Sequence, residues 1–305
     1  MGKYSPEYMT HRNREDMSLN AVKQAIREQS VLEARVIKCN PDNSLELEIG
    51  KNIIGIITFD ELEYHPDETP LKKASATSKI NKHVKFIPIS IEKEDDKFIV
   101  HCSRKQVQKM CYDNYISKLL PGDVIDAYVL KIMNYGIFCD IGCGIVALLP
   151  TNNISVTHII NPVTDLKCIS TLKVVVKHVD ENLRVELSHK ELLGTWEEES
   201  SSFKEDDVTY GTVLSIEQYG IFVRLSQNLS GLADVVDFEL KPGDTVSVRI
   251  QSIQSKNMKI KLSIIEKIDS TLDKPMRFKY YTTGSHIKDW VYSTDTAKKQ
   301  IESHF

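Results

Sequence analysis

Short segments of alternating apolar and polar residues run through most of the chain and are separated by Gly, Asn and Asp. Around residues 173–178, for example, Val174 and Val176 alternate with Lys173 and Lys177. Such alternation places one side of a strand in a core and the other at a surface, and frequent turn residues keep strands short. The pattern predicts an all-β protein of small closed sheets.

Two segments follow a helical spacing instead. Ser18 is followed by apolar residues at positions 19, 22 and 26, which predicts an N-terminal helix with Ser18 as its cap. The segment 188–196 begins with Ser188 and brings Leu192, Leu193 and Trp196 toward one face, so it predicts a helical strut between sheets. Residues 197–207 are rich in acidic side chains and are interpreted as a linker.

The chain repeats itself. Residues 124–150 can be laid on residues 208–234 without a gap at a constant offset of 84 positions. Further along, Val-Glu-Leu-Ser at 185–188 matches Ile-Lys-Leu-Ser at 260–263 at an offset of 75, so the later copy lacks nine residues of the connection. A loop tolerates such a loss, whereas the core of a strand does not. The two segments therefore predict two copies of one domain.

A fainter copy precedes them, because residues 49–57 match residues 141–149 at an offset of 92. Three repeats are therefore expected. The predicted units are an N-terminal helical extension (1–30), a degenerate barrel (31–117), two further barrels (118–196 and 197–268) and an aromatic C-terminal extension (269–305).

Composition limits the function. The 39 basic and 43 acidic residues give a net charge of -4, which disfavours a duplex-DNA protein but leaves single strands open, since these are held largely by stacking on aromatic rings. The polar start of the chain and the lack of a long apolar run predict neither a signal peptide nor a membrane span, so we expect a cytoplasmic protein. The six cysteines form no CxxC or zinc-like group, and no metal or cofactor is expected. Cys139 and Cys143 are interpreted as strand and turn residues.

The same aromatic motif occurs in two repeats, as Tyr-Gly-Ile-Phe at 135–138 and at 219–222. A glycine between rings that are three positions apart would permit a bulge or bend, which could bring both rings to one exposed surface. Two exposed rings would form a stacking platform for bases. The alternative is that both rings are core residues of a small barrel.

The motif and its surroundings resemble the S1 domain, the RNA-binding repeat of the largest ribosomal protein of the bacterial small subunit. The resemblance is carried by residues 119–268, and in the second repeat by Gly122-Asp123-Val124, Ile132, Tyr135-Gly136-Ile137-Phe138, Asp140-Ile141, Ala147-Leu148-Leu149 and the segment 179–188. It implies five-stranded OB-fold barrels, three in tandem with short connecting helices.

The resemblance also implies which residues of the second repeat contact RNA. These are Tyr135, Phe138, Asp180 and Arg184, with Pro150 at a turn position that is often histidine in the family. Arg184 would bind a phosphate or stack on a base, and Asp180 would orient it or accept from a base edge. The alternative is that Asp180 is a turn residue and Arg184 an exposed strand residue.

The third repeat keeps Tyr219 and Phe222 but has Ser255 and Lys259 where the family has Asp and Arg. Lys259 and its lysine neighbours 256 and 261 retain positive charge, so we expect this repeat to depend more on phosphate contacts. Asp234 is at the turn position.

The first repeat departs most from the family. Asn43 and Glu46 replace the two rings, and Asp95 and Ile99 replace the Asp and Arg. Degenerate leading repeats of the family dock to the ribosome, which implies a protein-contact role for residues 31–110. The connection after residue 60 is acidic and is otherwise interpreted as a solvated loop.

The tail from Lys274 contains five aromatic residues within residues 278–292, around a turn at 283–285. It predicts an aromatic hairpin followed by a helix from Thr294 to His304. The tail either packs on the third barrel or offers a further RNA or partner surface. Its arrangement resembles short S1-type proteins of low-GC Gram-positive bacteria.

Three functions are consistent with these features. The first is a ribosome-associated translation protein that binds single-stranded mRNA and the small ribosomal subunit. The second is a free RNA-binding regulator of transcript decay or transcription, and the third is a set of protein-interaction modules. No phosphate-binding loop, zinc-protease motif or serine-hydrolase motif occurs, so no enzyme activity is expected.

Overall fold

The computed structural model describes residues 4–7, 17–166, 169–268 and 278–305, apart from the side chain of Thr164. Parts of the two predicted extensions (residues 8–16 and 269–277, with Lys274) and Cys168 lie outside this description. The described residues form three closed five-stranded barrels and a small two-stranded sheet. The prediction of an all-β protein with three tandem OB-type barrels is confirmed. The domain boundaries stay predictions.

In the first barrel, the strands pair in the order β1-β2-β3-β5-β4. They are β1 Leu32–Cys39, β2 Leu45–Gly50, β3 Ile53–Ile57, β4 His83–Glu94 and β5 Lys97–Ser103. The helices are α1 Leu19–Glu28, α2 Lys73–Thr77 and α3 Arg104–Asn114. As predicted, the Ser18 side chain caps α1 by accepting from the backbone N–H of Ala21, and α1 packs Val22 into the core of this barrel.

The second barrel repeats this arrangement, with β10 pairing parallel to β8 where β5 pairs parallel to β3. Its strands are β6 Val124–Met133, β7 Gly136–Gly142, β8 Ile145–Pro150, β9 Thr171–Val179 and β10 Val185–Ser188, and a short helix, α4, spans Pro162–Asp165. Cys139 lies in β7 and Cys143 in the following turn, both as predicted. Alternate residues of β8 are buried, as the alternating pattern requires.

The third barrel is preceded by helix α5, and the C-terminal tail (residues 278–305) follows it. The elements are α5 Trp196–Ser200, β11 Val208–Glu217, β12 Gly220–Arg224, β13 Ser230–Ala233, β14 Thr245–Gln254, β15 Lys259–Lys267, β16 Asp289–Val291 and β17 Glu302–His304. Strands β16 and β17 pair with each other. The barrel closes in the order β11-β12-β13-β15-β14.

The predicted helix at 188–196 is wrong. Ser188 still belongs to β10, and residues Lys190–Leu192 form only one 3-10 turn. Gly194 follows with a φ of +93°, and a Cβ there would lie 2.8 Å from the ring of Tyr281. The helix begins later, at Trp196, where Thr195 forms a capping box. The predicted acidic linker is also partly wrong, because its first residues belong to this helix.

The predicted helix from Thr294 to His304 is wrong as well, because the end of this segment is strand β17. The tail packs against the third barrel, which was one of the two alternatives. Trp290 and Tyr292 are buried in its core, and the Tyr292 hydroxyl donates to the carbonyl of Asn228 at 2.6 Å.

The tail also joins the third barrel to the second. The backbone of Ile287 donates to the carbonyl of Gly122 at 2.8 Å, and Val124 donates to the carbonyl of Ser285 at 2.9 Å. Gly122 has a φ of +93°, and a Cβ there would lie 2.1 Å from the Ile287 carbonyl oxygen, so only glycine fits. The tail therefore acts as a strap across two barrels.

A short N-terminal segment, residues 4–7, forms a wedge between the first and second barrels. Glu7 is fully buried and binds the buried Arg104 of α3 through both carboxylate oxygens, at 2.9 and 3.0 Å. The backbone N–H of Glu7 donates to Asp140 of β7 at 2.7 Å. Burial and the neighbouring Glu7 carboxylate raise the pKa of Asp140. The wedge thus connects a cation of one barrel to a carboxylate of the next.

We expect the substitution Glu7→Ala to lower the free energy of unfolding by about 3 kcal/mol, because it leaves Arg104 buried without its bidentate partner. The measurement is urea denaturation of the full chain followed by circular dichroism. Glu48→Ala is the matched control, since Glu48 forms an exposed pair with Arg35 at 2.8 Å and should cost less than about 1 kcal/mol. Equal losses in the two variants would contradict a structural role for the wedge.

His189 is fully buried, and its burial makes the free energy of unfolding depend on pH. Burial lowers its pKa to about 4, and its ring nitrogen Nδ1 lies 3.0 Å from the carbonyl of Ile154. Because this pKa is lower than that of the unfolded chain, near 6.5, neutral His189 contributes its full share to the free energy of unfolding above pH 6.5. This contribution, up to about 3 kcal/mol, is lost as the pH falls toward 4. In thermal melts from pH 7 to 4.5, wild type should lose more stability than His189→Gln. Parallel pH profiles would refute this.

Candidate nucleic-acid interface

Strand register places three side chains at one equivalent position on the outer surface of the three barrels. Phe138 of β7 is opposite Lys131 of β6, directly after the bulge in that strand. Phe222 is opposite Ser215 after the corresponding bulge of β11, and Glu46 is opposite Lys38 after that of β1. The alignment made from sequence offsets therefore agrees with the pairing of the strands.

In the second barrel, the two rings of the motif do lie on one exposed surface. Tyr135 is 59% exposed and Phe138 is half-buried. Their ring centroids are 6.0 Å apart and the ring planes are nearly perpendicular, at 87°. The neighbouring Ile137 points into the core. The alternative that both rings belong to the core is excluded for this barrel.

The third barrel has the same arrangement. Tyr219 is 68% exposed, Phe222 is half-buried, and their centroids are 6.2 Å apart with planes at 87°. A Tyr and a Phe presented at the same position in two barrels form a stacking platform, the name used below for Tyr135 with Phe138 and for Tyr219 with Phe222. Aromatic faces of this kind stack on bases of any sequence.

The glycines of the two motifs act differently from the prediction, because the bulges lie in the opposite strands. A Cβ at Gly136 would lie 2.6 Å from the carbonyl oxygen of Leu149, and one at Gly220 would lie 2.6 Å from that of Ala233. Glycine is required here because the neighbouring strand approaches so closely. This close pairing fixes the start of β7 and β12, and with it the adjacent tyrosine.

Asp180 holds the turn that precedes β10. Its carboxylate accepts from the backbone N–H groups of Asn182 at 2.9 Å and Arg184 at 2.8 Å. This matches the alternative of a turn residue. The guanidinium of Arg184 is oriented by a different carboxylate, that of Asp67 in the first barrel, at 2.5 Å.

The pairing of Arg184 with Asp67 was missed from the sequence, where the acidic connection was interpreted as a solvated loop. Two of its carboxylates form contacts that the sequence did not indicate: Glu63 binds Lys79 at 3.2 Å, and Asp67 accepts from the backbone of Thr69 and from Arg184. These hydrogen bonds lower the pKa of Asp67 to about 2. Arg184 remains 68% exposed in this pair, so part of its guanidinium still faces outward.

A cleft of about 290 Å³ lies beside this ion pair, between the first and second barrels. Tyr64, Tyr112, Asn182 and Val146 contribute to its walls. Tyr64 and Tyr112 contact each other edge to face, with centroids 5.7 Å apart. The cleft therefore continues the surface of the second barrel toward the first.

Strand register places Lys259 of the third barrel at the position of Arg184 in the second. Leu148 pairs with Phe138 and with Glu186, and Leu232 pairs with Phe222 and with Lys261. Arg184 lies two residues before Glu186, and Lys259 lies two residues before Lys261, so the two cations occupy equivalent places. Lys259 is exposed at the start of β15.

The first barrel has no platform. Asn43 lies in the turn before β2, and Glu46 forms an ion pair with Lys38 at 3.1 Å. The equivalent of Arg184 is Ile99 in β5. At the platform position the surface of this barrel is thus neutralised by the ion pair of Lys38 with Glu46, which leaves little attraction for phosphate there.

Two further side chains on the platform surface were overlooked. Lys131 is exposed directly across from Phe138, and no carboxylate in the described part of the chain forms an ion pair with it. Glu186 lies on the side of Phe138 opposite to Lys131, beyond Leu148 of the next strand. The sequence contained both, but only the register shows that they flank the ring.

Within the described ranges, no group of three His, Cys, Asp or Glu side chains is arranged to hold a metal ion. The described helices are all too short or too polar to cross a membrane.

Fold and surface together define a tandem array of OB-type barrels, two of which carry aromatic platforms. Comparison with known proteins agrees: the family described as S1 RNA binding domain matches residues 118–190, which comprise the second barrel. The S1 resemblance seen in the sequence is confirmed.

Curated relatives of the chain include ribosomal proteins. The chain is 31% identical to small ribosomal subunit protein bS1 of Staphylococcus epidermidis over 215 residues, 65% of this chain and 54% of that protein. It is also 31% identical to bS1 of Staphylococcus haemolyticus over 190 residues, 57% of this chain and 48% of that protein. The chain spans about half the length of these relatives.

Among solved structures, the chain is similar to a multidomain protein with nucleic acid binding domains from Streptococcus pneumoniae. The identity is 14%, the TM-score is 0.25, and the match covers 78% of this chain and 73% of the other.

Proposed function

We propose that this protein binds single-stranded RNA through its second and third barrels and does so in association with the small ribosomal subunit. The observation that carries the proposal is the pair of platforms at equivalent register, each with an exposed tyrosine edge to face with a phenylalanine. Bases stack on such rings, and Arg184 and Lys259 supply cations at equivalent positions beside them.

The strap supports joint binding by the two barrels. The tail is hydrogen-bonded to Gly122 and Val124 of the second barrel and buries Trp290 and Tyr292 in the third. A fixed distance between the platforms makes the second binding event intramolecular, so one strand that reaches both gains affinity without any new contact.

The first barrel has a different role in this proposal. Its surface at the platform position consists of ion pairs, such as Lys38 with Glu46, in place of rings. Its side facing the second barrel carries the wedge and the acidic loop with Asp67. We assign it to protein contact on the ribosome, as an S1-type repeat that has kept its barrel and lost its platform.

This assignment places the protein in the cytoplasm and gives it no catalytic step. The ribosomal relatives, by name bS1, support the ribosomal context. The second candidate function is that of a free RNA-binding regulator of transcript decay or transcription, which would use the same platforms with another partner.

We expect Tyr135→Ala and Tyr219→Ala each to weaken binding of a single-stranded RNA by about 1 to 3 kcal/mol, because each removes one stacking ring. Binding is measured by fluorescence anisotropy with a labelled unstructured RNA long enough to span both barrels. Tyr210→Ala is the control: Tyr210 is 66% exposed on β11, outside the platform, and should leave affinity unchanged.

Equal affinities in all three variants would contradict the platform assignment. The logarithm of the binding constant should also fall with the logarithm of salt concentration, by about 0.7 per neutralised phosphate. A slope of zero would contradict the roles of Arg184 and Lys259.

Sedimentation separates the two candidate functions. The ribosomal proposal predicts that the protein migrates with small subunits in a sucrose gradient of cell lysate. The double variant Tyr135→Ala, Tyr219→Ala should still do so, because the first barrel makes the protein contact. Wild-type protein found only in the free fraction would favour the regulator.

A further inference from the structure

We propose that Glu186 makes the second barrel select bases that carry an exocyclic amino group and disfavour uracil. Its free carboxylate oxygen would accept a hydrogen bond from the amino group of a base held beside Phe138. The inference rests on the proposed RNA-binding function and specifies which strands this barrel prefers.

Glu186 shares the outer surface of the barrel with the platform. Phe138 pairs with Leu148, and Leu148 pairs with Glu186. The flanking residues Val185 and Leu187 are buried in the core, so Glu186 points outward, as Phe138 does. Two strand spacings separate Phe138 from Glu186, about 10 Å between Cα atoms, and Leu148 is the apolar floor between them.

The carboxylate is fixed in place. Its Oε1 atom accepts from Nζ of Lys177 at 2.8 Å and from Nδ2 of Asn153 at 3.1 Å. The hydrogen bond from Lys177 lowers the pKa of Glu186, which keeps it ionised at neutral pH. A carboxylate anchored through one oxygen loses little rotational freedom when the other binds a ligand.

The second oxygen, Oε2, is available. Among the described residues none donates a hydrogen bond to it, and the Glu186 side chain is 40% exposed. An ionised carboxylate only accepts hydrogen bonds, so it fits a base edge that presents a donor. Cytosine N4 and adenine N6 are such donors. In uracil the corresponding O4 is an acceptor that the carboxylate would repel, and the one donor of this edge, N3–H, lies between two acceptor oxygens.

The third barrel offers an internal comparison. Its residue at the same register position is Lys261, which lies 3.6 Å from Asp234. An ammonium group only donates, so it attracts phosphate and base acceptors alike. The two platforms are therefore alike in their rings and opposite in charge at this register position, and the preference should belong to the second barrel.

The test uses the full chain with Tyr219→Ala, so that binding reports mainly the second barrel. Affinities for labelled oligocytidylate and oligouridylate of equal length are compared by anisotropy at pH 7.5. These probes differ at position 4 of the base by amino against oxo. A charge-assisted hydrogen bond predicts about tenfold tighter binding of oligocytidylate.

Glu186→Gln should reduce this ratio toward one, because an amide presents a donor as readily as an acceptor. Glu48→Gln is the matched control: it removes an exposed, ion-paired carboxylate of the first barrel, which has no platform, and should leave the ratio unchanged. As a gain-of-function arm, Lys261→Glu in a Tyr135→Ala background should create a preference for oligocytidylate in the third barrel.

The outcomes are distinct. If both probes bind with a ratio near one, or if Glu186→Gln retains the full ratio, the inference about Glu186 is overturned while RNA binding stands. If neither probe binds, the proposed function fails and the inference fails with it.

Discussion

The buried contact between Glu7 and Arg104 determines how the first barrel is joined to the rest. Both side chains are fully removed from solvent, so each charge requires the other, and the Glu7 backbone in turn satisfies Asp140 of the second barrel. The free-energy cost of burying either charge without its partner would be several kcal/mol. Because the ion pair and the barrel junction form together, the acidic loop is held where Asp67 meets Arg184. The composition of the platform surface in the second barrel thus depends on a contact made by the N-terminal segment.

The other junction is built from different chemistry. Between the second and third barrels, the tail contributes buried aromatic rings and backbone hydrogen bonds. The side-chain amide of the fully buried Asn228 donates to the carbonyl of Gly194, and the Asn228 carbonyl accepts from the hydroxyl of Tyr292. Neutral contacts of this kind depend little on salt, whereas the platform surfaces carry exposed lysines and arginine. Salt therefore screens the charges on the platform surfaces without loosening the spacing of the two platforms.

The barrels and the exposed rings could be predicted from the sequence because both follow local rules: period-two alternation, turn residues and a repeated motif. The sequence was insufficient where distant residues decide local structure. The helix expected at 188–196 is prevented by Gly194, whose backbone conformation is adapted to Tyr281 from the tail. The end of the tail segment expected as a helix, Glu302–His304, is a strand because β16 is available to pair with it. The partner of Arg184 lies 117 residues away, and no periodicity encodes such a pair.

The wedge has a consequence for the order of folding. Glu7 is separated from Arg104 by 97 positions and from Asp140 by 133, whereas the longest-range strand pairing of the first barrel joins only Leu32 to Phe86. Contacts that close long loops carry a larger entropic cost and form late. During synthesis the first barrel can close while its N-terminal segment is still unanchored, and the segment completes its contacts only after β7 of the second barrel exists. The junction between the first two barrels is therefore completed only in a chain in which both barrels have folded.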